Sequence, residues 1–167
     1  MTDKEMLHEM ITMQMALDDA ICKEKGLVWN DSKYNTYNLR LAIIDEIGEF
    51  THELKADWCW WKNTQKPVDR DRVLEELVDI WHFVMSMSYH WWNDVEGLVD
   101  YSLRGYDDYK ARGDSYFFFL KFLFSNEYDT LNYLILLTKE VGFTIEDIYE
   151  AYKKKNQINY ERLERGY

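Results

Sequence analysis

Apolar residues recur along this chain at three- and four-residue spacing, and strictly alternating runs are scarce, so the pattern predicts helices rather than strands. A first helix from about Lys4 to Lys23 points Leu7, Met10, Ile11, Leu17 and Ile21 inward, and Gly26 ends it. Val28 to Tyr34 reads as a loop with Asn30, Asp31 and Ser32 as turn or cap residues. A second helix, from about Tyr37 to Ala56, marks its inner side with Ile43, Ile47, Phe50 and Leu54. After the sole proline, Pro67, a third helix from about Asp69 to Trp92 does so with Leu74, Leu77, Ile80, Trp81 and Val84. Gly97, Gly105 and Gly113 interrupt the segment from Asn93 to Gly113, which is expected to form short helices and loops. The apolar run Tyr116 to Ser125 is expected as a buried helix, and another helix fits Glu127 to Glu140. Thr144 and Asp147 then form a helix-starting box for a last helix that runs toward the C-terminus.

The 167 residues make one all-α domain, 1–167, with a single proline and seven glycines. The formal net charge of −11 opposes an extended grip on a nucleic acid polymer, which needs clustered Lys and Arg. A small anion remains compatible with it, because bound metal inverts the sign of an acidic pocket. Cys22 and Cys59 are too few for a disulfide framework or a zinc cluster, which makes a reducing cytoplasm the simplest setting. No basic leader precedes an apolar run, and no stretch approaches the roughly 18 apolar residues of a membrane span, so a soluble cytoplasmic protein is expected.

The chemistry concentrates on the second and third helices. Glu46 and Glu49 are three apart on one, Glu76 and Asp79 three apart on the other, and both pairs border apolar stripes. Such acids ordinarily form a solvated face or pair with lysines. Here the two helices can bury their stripes against each other only by bringing the four carboxylates together, and like charges at close range repel strongly. Protonation or a cation relieves this, and oxygen ligands without cysteine favour hard divalent ions such as magnesium or manganese. On the first helix Gln14 and Asp18, four apart, can read a polar ligand edge. In DWCWWKN the indoles offer stacking surfaces and Lys62 a phosphate partner, although packing explains them equally well. Lys155, Asn159 and Arg162, spaced by four and three, share one face of the last helix, either as a solvated basic end or as a clamp opposite the acids.

Four blocks, MQMALDD, EIGE with WCWWKN, EELVDIWHF and KNQINYERLERGY, follow one another across nearly the whole chain. In this order they resemble the all-α nucleoside triphosphate pyrophosphohydrolases, most closely the dimeric dUTPases and the related phage dCTPase-dUTPases. The resemblance implies a helical bundle with a four-helix catalytic core, working as a homodimer on deoxyuridine nucleotides. It implies that Glu46, Glu49, Glu76 and Asp79 hold magnesium, with Glu46, or else Glu49, as the base for the attacking water. Gln14, Trp61 and His82 would surround the base, Phe83 would pack on the deoxyribose, and Lys62, Lys155, Asn159 and Arg162 would approach the phosphates. Asp18 departs from members with asparagine there, which leaves dUTP against dCTP open; Tyr167 belongs to the family's terminal motif with no assigned role.

Three other readings stand beside this one. The first is a related enzyme acting on another deoxynucleoside triphosphate. The second is a di-iron carboxylate bundle, suggested by the ExxH spacing of Glu49 and His52 and its loose echo at Asp79 and His82. The third is a noncatalytic nucleotide sensor. The tryptophan–lysine and C-terminal basic blocks favour nucleotide hydrolysis over iron, and the absence of a GxxxxGK[ST] segment argues against a kinase or ATPase built on a phosphate loop.

Overall fold

Helices here start where a side chain can accept from the otherwise unpaired first amides. In a computed structural model of the chain, Thr2 closes a capping box with Glu5 at the head of α1 (Asp3–Lys25). Asn35 accepts from Asn38 N at α2 (Thr36–Glu53), and Asp69 from Asp71 N and Arg72 N at α4 (Arg70–Tyr89). Asp94 accepts from Gly97 N at α5 (Val95–Arg112), and Thr144 closes a second box with Asp147 at α7 (Ile145–Glu164). The one-turn α3 (Lys55–Trp58) and the apolar α6 (Thr130–Glu140) complete the set. The structure describes residues 1–92, 94–113 and 128–166, and among these there are seven helices and no strand. The expected helix over Tyr116–Ser125 and the terminal Tyr167 lie outside them.

α4 is the centre of the packing. Val73, Leu77, Ile80, Trp81, Val84, Met85 and Met87 are fully buried, each such side chain contributing roughly 1.5–3 kcal/mol of transfer free energy. α2, α1, α7 and α6 all pack on α4, α1 also lies along α7 and α5, and α5 rests on α6. Because α6 is enclosed, all its residues from Thr130 to Thr138 are buried, and Thr138 Oγ1 accepts the Trp81 indole N–H at 3.0 Å. α1, α2, α4 and α7 carry the candidate site residues.

Two expectations need correction. The second helix stops at Glu53, and Leu54 starts the separate turn of α3, whereas the third ends at Tyr89 rather than Trp92. The segment expected as short helices and loops is one 18-residue helix, α5. Its internal glycines do not break it. A Cβ at Gly105 would collide with the Asn132 side chain of α6, so the missing side chain is what lets the two helices approach. No described helix is long and apolar enough to cross a membrane.

Candidate active site

A polar stripe runs down the otherwise apolar α4: Glu76, Asp79, His82 with Phe83, Ser86 and Tyr89 recur at three- or four-residue steps and so share one side. From Asp79 to Ser86 the helix rises about 10 Å. The stripe divides into an acidic end and a hydrogen-bonded end.

At the acidic end α2 faces α4. One carboxylate oxygen from each of Glu46, Glu49 and Glu76 lies within 4.8 Å of the others. Glu76 is 5% exposed and accepts from Arg72 Nη2 at 2.9 Å, while Glu49 is open to solvent. Burial first, then the charges of Asp79, Glu49 and Glu76, push the Glu46 carboxyl up from 4.5 to about 7. Glu76 is also raised, by burial, against the opposing charge of Arg72. Asp79 stands apart from this trio because Lys155 of α7 donates to it at 2.6 Å. Burial raises its carboxyl too, and Lys155 opposes the rise. Glu49 and Glu76 of the trio border a cavity of about 350 Å³ lined also by Asp45, Gly48, His52, Glu53 and Arg72.

Three mutually repelling oxygen donors beside a cavity fit a hard divalent cation, since such ions take carboxylates and neutralise the repulsion. The donor set does not fit a di-iron centre. Among the described residues neither His52 nor His82 joins the cluster, and Nδ1 of His82 is engaged by Gln14.

At the other end α1 meets α4 and α7 in a buried network. Asp18 is 7% exposed and accepts from Ser86 Oγ at 2.5 Å, Gln14 Nε2 at 2.9 Å, Tyr89 OH at 3.0 Å and Tyr34 OH at 3.2 Å. Burial pushes its carboxyl up, and these four donors push it down. Gln14, 3% exposed, uses its oxygen to accept from Tyr152 OH at 2.9 Å and to meet His82 Nδ1 at 2.7 Å. Tyr34 arrives from the loop before α2. Asp31 ties that loop by accepting from Lys33 N, Tyr34 N and Val28 N, and Trp29 stacks on His90 at 3.6 Å.

The remaining expected residues are placed less tightly. Phe83 is half-buried on α4 and packs against the core. Trp61 is 56% exposed, its ring meeting those of its neighbours Trp58 and Trp60, and Lys62 beside it is exposed. Asn159 and Arg162 lie one and two turns beyond Lys155 on α7, and the charge of Arg162 reaches Asp79. Ser86, Tyr89, Tyr34, Tyr152 and Arg72 were not singled out from sequence. For Ser86 and Tyr89 a signal was present, since both continue the spacing of Asp79 and His82. Tyr34 and Tyr152 carried none, as only the tertiary fold brings them to Gln14 and Asp18.

A family model described as dUTPase matches residues 6–167. A comparison with curated proteins finds no match. The match runs through all four helices that supply the acidic trio, the Lys155 pair and the buried network, and such enzymes are in general divalent-metal dependent, as the trio would require. The chain belongs to the dUTPase family, the enzymes that hydrolyse dUTP.

Proposed function

We propose that this chain cleaves dUTP to dUMP and pyrophosphate, and dUDP to dUMP and phosphate, at the Glu46–Glu49–Glu76 cluster with magnesium, or manganese in its place. The observation that carries the reading is the convergence of three carboxylates from two facing helices within 4.8 Å. Glu46, Glu49, Glu76 and Asp79 would hold the ions, which would supply neutralising charge to the polyphosphate and make nearby water more acidic. Glu46 takes the proton from the attacking water. As the water oxygen bonds to phosphorus, the bond to the oxygen bridging the α- and β-phosphates breaks, which separates dUMP from pyrophosphate, or from phosphate when dUDP is cleaved. Lys155, Asn159, Arg162 and Lys62 contact the phosphates, Phe83 the sugar, and Gln14, His82, Trp61 and Asp18 belong to the base end. Along α4 the acids precede the buried network, so the nucleotide lies with its phosphates toward Glu76 and its base toward Ser86.

The test is a panel of dUTP, dUDP, dCTP, dTTP and UTP with magnesium present or chelated, with products identified. dUTP is expected to lead, dCTP to follow, and UTP and dTTP to be poor; equal hydrolysis in chelator would sink the metal role. We also place the chain in a homodimer. Support comes from the resemblance in its sequence and from Tyr37, Leu41 and Ile44, which form an exposed apolar stripe on α2 at 76%, 64% and 39% exposure.

A further inference from the structure

One acceptor inside the buried network has no donor among the described residues. His82 is 5% exposed, its ring stacks on Tyr152 at 4.3 Å, and its Nε2 meets no hydrogen-bond partner among them. Which ring nitrogen carries the proton is decided on α1. Four donors converge on Asp18 and hold it as the carboxylate, which only accepts. The part of Gln14 that lies 2.9 Å from Asp18 Oδ1 is therefore its NH2, which also reaches Ser86 Oγ at 3.0 Å. The Gln14 carbonyl is left facing His82 Nδ1 and the donating hydroxyl of Tyr152. A carbonyl cannot donate, so the imidazole proton sits on Nδ1 and Nε2 keeps its lone pair. Burial, reinforced by the charge of Lys155, holds the ring neutral, with its pKa pulled down to about 3.

We propose that Asp18 is a positioning residue that, through the Gln14 amide, fixes His82 as the Nδ1–H tautomer, and that Nε2 is thereby an acceptor kept for an N–H or O–H donor of the bound nucleotide. The ligand half of this assignment rests on the nucleotide reading of the site; the tautomer does not. An amide at position 18 reverses the relay. Its single oxygen is held where Ser86, Tyr34 and Tyr89 direct their hydroxyl protons, and its NH2 then faces Gln14. Gln14 must answer with its carbonyl and turn its own NH2 to His82 Nδ1, which moves the imidazole proton to Nε2. The same site then offers a donor where it had offered an acceptor.

Nitrogen NMR of histidine-labelled, metal-free protein reads the tautomer directly. In the unaltered chain His82 is expected to show a protonated Nδ1 and an unprotonated Nε2, and the reverse pattern in Asp18→Asn. Ser86→Ala, which leaves Asp18 Oδ1 against Gln14, is expected to keep the Nδ1–H form. Protonation at Nε2 in the unaltered chain overturns the proposal without any variant being needed. An unchanged tautomer in folded Asp18→Asn, or a switched one in Ser86→Ala, removes control from Asp18. Saturation with dUMP should shift the Nε2 resonance as its lone pair accepts a bond, and an Nε2 signal indifferent to dUMP overturns the ligand half. dUTP hydrolysis by the same preparation after magnesium is added is scored separately: its absence would refute the proposed reaction, while the two tautomer patterns would still establish the relay.

Discussion

Glu46 is the residue where burial and function pull against each other. In the fold its carboxyl keeps a proton up to about pH 7, whereas its ordinary value is 4.5. Between those values the folded state binds a proton that the unfolded chain has lost, so the contribution of Glu46 to metal-free stability is full below about pH 4.5 and is lost as pH rises toward 7. Each unit of difference is worth at most about 1.4 kcal/mol. Glu76 and Asp79 are raised in the same direction and add to the slope. Buried His82 and His90, pulled down to about 3 and about 4, act in the opposite sense over this range, so thermal melts in chelator are read against Glu46→Gln: the midpoint of the unaltered chain relative to the variant should fall from pH 5 to 7, and magnesium should raise it at pH 7. A relative midpoint that rises over that range would contradict the crowding of these acids. The same Glu46→Gln variant keeps the shape but not the basicity. Its turnover of dUTP is expected to drop about 10²–10⁴-fold with nucleotide affinity largely retained, and near-normal turnover would take Glu46 out of the base role.

At the scale of elements, α7 and α5 make separate demands. α7, whose first turn is capped by the reciprocal Thr144–Asp147 box, presents Lys155 to Asp79. Thr144→Ala should cost about 0.5–2 kcal/mol, seen as a lower denaturation midpoint, with dUTP turnover changed little because the cap lies more than two turns from Lys155. A stability loss outside that range in either direction would mean that the cap does not act alone. For α5, Gly105→Ala drives a methyl into Asn132 and is expected to destabilise by about 1–3 kcal/mol. Adding Asn132→Ala should recover part of that loss. If the double variant is worse than the sum of the singles, close helix approach is not what Gly105 provides.

For the whole molecule, a chain of formal charge −11 gathers acids at one place and cations opposite them on α7. That arrangement lets a metal-bearing polyphosphate be attracted from both sides despite the unfavourable net charge. The exposed stripe of Tyr37, Leu41 and Ile44 sits on the outer side of α2, whose inner side carries the buried Ile43 and Phe50. If this stripe is the self-association face, sedimentation of the unaltered protein at micromolar concentration shows dimers and Leu41→Glu shows monomers. Dimers that persist in Leu41→Glu would place the contact elsewhere.

The periodicity of apolar residues was enough to determine that the chain is helical, where α1, α4 and α7 run, and that Leu7, Met10, Ile11 and Leu17 of α1 and Leu77, Ile80, Trp81 and Val84 of α4 are core, while Ile21 and Leu74 from the same stripes are only half-buried, because burial of a helix stripe is written at three- and four-residue spacing. It also marked the acids on α2 and α4, since each interrupts such a stripe. It misjudged α5, because a glycine that breaks a lone helix is tolerated when a neighbouring helix needs the space. Only the tertiary structure decided that Asp79 turns to Lys155 while Glu46, Glu49 and Glu76 gather, because that choice depends on where α7 crosses α4. It likewise decided that Gln14 and Asp18 are engaged with Tyr34, Tyr152, His82 and Ser86. Spacing along one helix says which side chains share a face, but the donors that fix a buried carboxylate come from residues as far as 71 positions away, and only folding brings them within hydrogen-bond reach.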